Sequence, residues 1–554
     1  MTTRTRPLRF SWHGGMFGAG AGIATEGFYE IAENWDGRFN IPGPAEVVDL
    51  TGIAAGYRVI KMLKSFDIDI VVTTNSTNTK VYRKETTWVE RASIASRVAT
   101  DAISFKNIIA IAFSGGNPYQ FVTDTGSGAL TFAASTKTSG NSEQATKFLE
   151  QNNGLLEPRV VYGLSPNEIY YTTDLTNTDG TGVLATYVGD TASTQNKITS
   201  LAEDNAGRVV VGMRHGLWTV DEEGIIERLT PEHFDDPPLD AGGQSDRDNF
   251  EICVRLNGLL FYNVEGYDFG AWDGLNRRFN KYMAPWRGNP LLRPNPGERD
   301  RRILMPRANL PINAACAAGG WLVLFMGTTY NTTLKDVTYY PGGNAHLAST
   351  FTANSEMWVG LPLPDGSGVL WHGILLKVSN PLRYAFYDED DSYLYMASGA
   401  SESADLQMTR CLFYTDAPQY HGSLVGAPQT DDVVRLTNET WKLEFGRIEF
   451  GDPWEYKVPK FLTADALGLS ATATLEWEYK ITPDYDSTAF ESDFITWSDN
   501  HDAETGAEFD TGEPFRALHL RAVGTAASNA YAFLNGFDVF AELAPSERQL
   551  PVHR

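Results

Sequence analysis

The stretch from Lys197 to Leu229, KITSLAEDNAGRVVVGMRHGLWTVDEEGIIERL, constrains the fold more than any other part of the 554-residue chain. An apolar run, an Asp-Asn-Ala-Gly turn, a Val-Val-Val strand, a His-Gly-Leu-Trp strand and an Asp-Glu-Glu-Gly turn follow at strand-length intervals. Such a meander is a small antiparallel sheet with apolar side chains on both faces. It cannot bury those faces by itself, so similar units are required on either side of it.

Six further units with the same grammar are found, at Tyr57 to Ala92, Asp101 to Ala134, Arg159 to Asp190, Asn249 to Tyr282, Pro311 to Gly373 and Leu382 to Tyr414. In each, a first strand meets a tight polar or glycine turn and then a second, more continuously apolar strand, as expected for a strand covered on both faces. The turns are Ser165-Pro166-Asn167, Asn205-Ala206-Gly207, Leu256-Asn257-Gly258, Ala318-Gly319-Gly320 and Asp388 to Asp391. Taking Ile70, Ile111, Ile169, Val210, Leu260, Leu324 and Leu394 as equivalent gives spacings of 41, 58, 41, 50, 64 and 70 residues. The short spacings suit a four-stranded blade of roughly 40 to 50 residues. The long ones imply insertions, the largest at Arg287 to Arg307 and Asn331 to Thr352. The pattern predicts an all-β protein containing an about seven-bladed β-propeller over residues 51–429, preceded by an arm and propeller-closing segment over 1–50.

Composition agrees with an all-β chain: Gly 51, Pro 27 and 12% aromatic residues. Helical periodicity is confined to short pieces such as Asn141 to Gln151. A formal charge of −25 repels phosphate backbones, which argues against nucleic acid as a partner. No run approaches the roughly 20 apolar residues of a membrane span, and the first residues lack the apolar region of a signal peptide. Cys253, Cys316 and Cys411 are expected as buried thiols on strands. Neither Cys-x-x-Cys nor His-Glu-x-x-His is present, so no metal site and no cofactor are expected.

After about Thr430 the character changes. In ATATLEWEYKI, Ala471, Ala473, Leu475, Trp477, Tyr479 and Ile481 share one face, and Thr472, Thr474, Glu476, Glu478 and Lys480 the other. Leu518, Leu520 and Ala522, and Phe537, Val539, Ala541 and Leu543, repeat the alternation. Half-buried strands of this kind predict a β-sandwich as a second domain over 430–545, with a tail at 546–554.

Two resemblances accompany these patterns. The Lys197 to Leu229 unit resembles the blades of sensor-type propellers. The runs PKFLTADALGLSATATLEWEYKITPD and FRALHLRAVGTAASNAYAFLNGFDVFAEL resemble the β-sandwich that closes many propeller-bearing structural proteins of tailed bacteriophages. The second resemblance implies a virion component of the tail or head-tail connection, assembled in the host bacterial cytoplasm in several copies, with other virion proteins as partners and no membrane contact. The alternative is a carbohydrate-binding or glycan-cleaving propeller, since similar sandwiches serve as carbohydrate-binding modules.

Candidate contact residues follow from charge and exposure. Arg287, Arg293, Arg299, Arg301, Arg302 and Arg307 stand against only Glu298 and Asp300, so six bases less two acids leave that insertion about +4 within an acidic chain. Arg4, Arg6 and Arg9 precede a glycine-rich run and form a second basic candidate for partner contact. Tyr267, Phe269 and Trp272 lie in VEGYDFGAWDG, read as a loop whose aromatics could stack on a host glycan or pack on a neighbouring blade. Asp235-Asp236 and Asp388 to Asp391 offer oxygens to Ca²⁺ but read better as solvated turns. Thr123 to Phe132 has the wrong spacing for a sialidase-type turn, and Gly-x-Ser-x-Gly is missing, so no catalytic residue is expected.

Overall fold

The structure is a computed structural model that describes 38 strands between Leu8 and Leu543 with their adjoining turns. Outside the described residues lie, among others, 1–7, 12–30, 135–144, 231–248, 286–311, 328–354, 399–406, 416–438, 449–455, 483–494 and 544–554. Among the described residues there is no helix, and hence none long and apolar enough to cross a membrane.

The first five strands are short: β1 (Leu8–Ser11), β2 (Ile31–Glu33), β3 (Trp35–Asp36), β4 (Ile41–Pro42) and β5 (Val47–Val48). Antiparallel meanders follow in chain order. The first is β6 (Arg58–Ser65), β7 (Ile68–Thr74), β8 (Thr79–Lys84) and β9 (Trp88–Ile94), and the second is β10 (Ala99–Phe105), β11 (Ile108–Phe113), β12 (Gln120–Asp124) and β13 (Leu130–Ala134). The third is β14 (Ala145–Gln151), β15 (Arg159–Leu164), β16 (Glu168–Thr172) and β17 (Gly182–Ala185). The fourth is β18 (Ile198–Glu203), β19 (Val209–Met213), β20 (Gly216–Val220) and β21 (Ile226–Arg228), and the fifth is β22 (Cys253–Leu256), β23 (Leu259–Val264) and β24 (Asp268–Trp272). Next come β25 (Ile312–Ala318), β26 (Trp321–Gly327), β27 (Ser355–Pro362) and β28 (Val369–Val378), then β29 (Leu382–Asp388), β30 (Tyr393–Ser398) and β31 (Gln407–Leu412), to which β5 adds the fourth strand. The C-terminal strands are β32 (Glu439–Glu444), β33 (Lys457–Leu467), β34 (Thr474–Thr482), β35 (Ile495–Thr496), β36 (Ala507–Glu508), β37 (Ala517–Ala526) and β38 (Phe533–Leu543).

Second strands are the most deeply buried, with Val71, Val72, Ile111, Val160, Val210 and Val211 at 0% exposure. Each such side chain stabilises the fold by about 1.5–3 kcal/mol relative to an exposed one. They fill separate cores between consecutive sheets, one joining Leu63, Ile70 and Val72 to Ala102, Ile109 and Ile111, the next joining Ala110 and Ala112 to Phe148 and Tyr162.

One irregularity recurs. The pairing of first with second strand slips between Val59 and Lys61, Ala99 and Asp101, Ala145 and Lys147, Ile198 and Ser200, Ile312 and Ala314, and Leu382 and Tyr384. In the fifth sheet Phe250 N donates to Asn263 O at 3.0 Å and Asn263 N to Ile252 O at 3.3 Å, passing over Glu251 in the same way. A bulge inserts one residue and re-aims those after it. Here several of the re-aimed side chains reach the next sheet: Lys61 Nζ stands 3.6 Å from Asp101, Asp101 Oδ2 accepts from Phe148 N at 2.9 Å, and Ser200 Oγ donates to Phe250 O at 2.5 Å. Tyr384 Oη donates to Met62 O at 3.3 Å, which links the last meander back to the first.

The bulges correct two expectations. Asn141 to Gln151 read as helical because Ala145, Phe148 and Gln151 are apolar or buried at three-residue spacing, yet Ala145–Gln151 is strand β14. The bulge between Ala145 and Lys147 turns a two-residue period into an apparent three-residue one. Ile169 lies on the third strand of its sheet, so the second-strand equivalent is on β15. Positions opposite the bulges are Val72, Ala112, Gly163, Gly212, Asn263, Phe325 and Ala397, with spacings of 40, 51, 49, 51, 62 and 72.

The C-terminal strands form two sheets, β1-β38-β33-β36 and a run β2-β32-β37-β34-β35. They share one core, in which Phe537 lies 4.6 Å from Phe445 and 5.1 Å from Trp477 between ring centroids. The expected face of β34 is buried, from Leu475 at 2% to Ile481 at 7%. These strands are continuous with the sixth meander. β2 pairs antiparallel with β32 and, at Glu33 and Ile374, in parallel with β28, which makes one nine-stranded sheet. The core continues across it, from Phe261 and Leu324 through Trp358 to Trp441 and Leu520.

Candidate functional site

Three clusters of charged side chains lie where sheets meet. The first lines a cavity of ≈ 560 Å³ bounded by β6, β10, β14, β18 and β22, the first strands of five consecutive sheets. Asp101 organises its wall. Its carboxylate accepts from Ala102 N at 2.9 Å and Phe148 N at 2.9 Å, and faces Lys61 on the other side. That carboxylate, outweighing burial, holds the Lys61 ammonium well above the ordinary lysine range, although 40% of the side chain remains open to the cavity. Glu203 accepts from Asn152 N at 3.1 Å and stands 3.3 Å from Arg255. Cys253 is on the same wall, but burial pushes its thiol up to about 12, so it is neither a thiolate nor a nucleophile near neutral pH. Among the described residues no histidine lines this cavity. Asp101→Asn is expected to lower stability by about 1–3 kcal/mol, because Phe148 N loses a charged acceptor and Lys61 the carboxylate that faces it. A urea midpoint unchanged from wild type would contradict that role.

The second cluster sits between the first meander and the last. Carboxylate oxygens of Asp69, Asp388 and Asp391 lie within 4.8 Å of one another, and Lys64 Nζ reaches Asp388 and Asp390 at 2.5 Å each. The turn expected at Asp388 to Asp391 is present between β29 and β30, yet Asp388 is 2% exposed and serves as the anchor for Lys64. Burial first, and then Asp388, pushes the Asp69 carboxyl up to about 6. A carboxyl raised in this way is favourable when protonated and costs stability as pH rises through 6. Asp69→Asn should therefore raise stability by about 1 kcal/mol at pH 7.5, after allowance for solvent screening, and change it little at pH 4. Thermal melts at the two pH values check this, and an equal effect at both would contradict it.

The third cluster joins β3 and its turn to β26 and β28. Arg38 is held by Asp36 through Nε at 2.9 Å and Nη2 at 2.8 Å, and its guanidinium lies 4.2 Å from the Phe413 ring and 5.1 Å from that of Trp321. His372 meets Trp321 edge to face at 5.4 Å. Burial pushes its imidazole down to about 4, with Arg38 acting in the same direction and Asp36 against it.

Of the residues singled out in the sequence, Arg4, Arg6, Arg287, Arg293, Arg299, Arg301, Arg302, Arg307, Tyr267, Asp235 and Asp236 lie outside the described residues. Arg9 is on β1, in register with Asp538 of β38. Phe269 and Trp272 belong to strand β24, not to a loop, and are 0% and 2% exposed. Phe269 stacks on Phe261 at 5.8 Å, and Arg208 covers Trp272 at 5.4 Å. Neither can offer an open face to a sugar. The strand was obscured by Gly266, Gly270 and Gly274, which carry no side chain for an alternation to show. Lys61, Asp101, Tyr384, Asp69 and His372 gave no signal by type or spacing. The one available clue was the apolar pair three residues apart at the start of a first strand, as in Val59 and Met62 or Ala99 and Ala102.

No family model matches this sequence, and comparison with curated proteins finds no match. Among solved structures, several are similar at low identity. YCF48 bound to a D1 peptide is 11% identical with a TM-score of 0.40, over 67% of this chain and 96% of that one. The extracellular domain of a hybrid two-component system from B. thetaiotaomicron is 10% identical with a TM-score of 0.40, over 72% of this chain and 44% of that one. Raptor from Chaetomium thermophilum is 10% identical with a TM-score of 0.41, over 67% of this chain and 29% of that one.

Proposed function

We propose that the chain is a structural component of a tailed-phage virion, acting through protein contacts and not through catalysis. In this reading the seven meanders are the blades of one β-propeller, β5 supplies the outer strand that closes the ring, and the C-terminal sheets are its β-sandwich. The observation that carries it is the path of the N-terminal segment: β1 pairs with β38, β2 lies between β28 and β32, and β5 pairs with β31. One segment thereby ties the sixth, last and C-terminal sheets together and covers edges that would otherwise invite unwanted strand pairing. That is the mechanical requirement on a part present in many copies. Several charged groups of the three clusters are also paired with one another, as in Arg255 with Glu203 and Lys64 with Asp388. Quantitative mass spectrometry of purified particles of the phage that encodes the chain tests the proposal. Several copies per particle are expected, and absence from the particle would overturn it.

A further inference from the structure

The cavity wall is not uniformly committed. Its basic residues are Lys61, Lys64, Lys147 and Arg255, and its acids Asp101, Glu150, Glu203 and Glu251. Arg255 is 3.3 Å from Glu203, and Lys64 is turned to Asp388 and Asp390 outside the lining. Asp101 already accepts two backbone N–H groups. Lys61 and Lys147 differ from these. Lys61 Nζ stands 3.6 Å from Asp101 Oδ1, beyond hydrogen-bond length, and Lys147 Nζ is 3.4 Å from the carbonyl of Thr100, a long contact to a neutral acceptor. Thr100 and Asp101 are consecutive on β10, so the two ammonium groups converge on one stretch of that strand from β6 and β14 on either side.

We infer that the cavity binds one small oxyanion, a phosphate or a carboxylate, bridged between the Lys61 and Lys147 ammonium groups. Each ammonium carries three donors, and a charge-assisted bond to an anion is roughly twice as strong as one to a neutral carbonyl. The walls around them include Leu63, Ile103, Leu149 and Leu201, so the ligand can carry a short apolar body. A volume of ≈ 560 Å³ is within the usual range of roughly 300–1,000 Å³ for small-molecule sites. Glu150 and Glu251 on the same lining, together with the net charge of −25, exclude large polyanions. The inference does not depend on the virion reading.

Isothermal titration of the full chain with inorganic phosphate and, separately, with succinate tests it, at constant ionic strength and with chloride as control. One saturable site is expected for at least one of the two, and the arm that saturates identifies the oxyanion. Lys147→Gln and Lys61→Gln should each weaken that binding by about tenfold or more, whereas Glu150→Gln should leave it unchanged or tighter. If Lys61→Gln does not fold, Lys147→Gln decides, since the one hydrogen bond its side chain makes among the described residues is the long one to Thr100. No saturable binding of either anion, or affinity unaltered in Lys147→Gln, would overturn the assignment.

Discussion

Trp35→Ala is expected to lower the stability of the whole chain by about 3–5 kcal/mol, the range for truncating a large aromatic in a packed core. Trp35 is 0% exposed and its ring centroid is 4.6 Å from that of Trp441, which is also fully buried. The pair stands where β3 packs on β28 and β32, so the cavity would open at the join between the meanders and the C-terminal sheets. Gly524 shows how tightly that join is filled, since a Cβ there would come within 2.1 Å of Trp441 Cζ2. Trp441→Ala should cost a similar amount, and the double variant less than the sum, because the two rings share one contact. Urea midpoints measure both. A loss under about 1 kcal/mol for Trp35→Ala would mean that the site collapses without cost.

The second large effect is acid sensitivity through His372. An unfolded histidine takes up its proton near 6.5, whereas folded His372 resists until about 4. Between these values the unfolded state binds more protons, so stability is full above pH 6.5 and falls as pH drops toward 4. The 2.5-unit interval corresponds to about 3 kcal/mol at its limit. His372→Phe keeps an aromatic ring against Trp321 and removes the titration. Comparing wild type and variant at pH 4.5 and 7.5 isolates this contribution from the carboxylates common to both. The wild type should lose stability relative to the variant on acidification, and parallel losses would show that His372 is not the group responsible.

The fold was legible in the sequence where burial imposes a strict period. Leu475, Trp477, Tyr479 and Ile481 alternate because one face of β34 meets a core and the other does not. The second strands were legible for the opposite reason, being apolar without interruption because both faces are covered, as at Val209 to Met213. First strands were harder, since a bulge changes their period midway and makes Ala145 to Gln151 look helical. The continuity of β28, β2 and β32 could not be seen at all. A three-residue strand carries no periodicity, and its partners are hundreds of residues away in sequence. The same holds for the charged clusters, since Lys61 and Asp101, or Lys64 and Asp388, become neighbours only when sheets are packed side by side.

Differential scanning calorimetry of the full chain tests most directly whether the N-terminal segment makes the meanders and the C-terminal sheets one body. A single transition is predicted, with calorimetric and van't Hoff enthalpies equal, shifted down as a whole in Trp35→Ala. Two resolved transitions in the wild type, with the C-terminal strands from Glu439 to Leu543 melting apart from the rest, would contradict it.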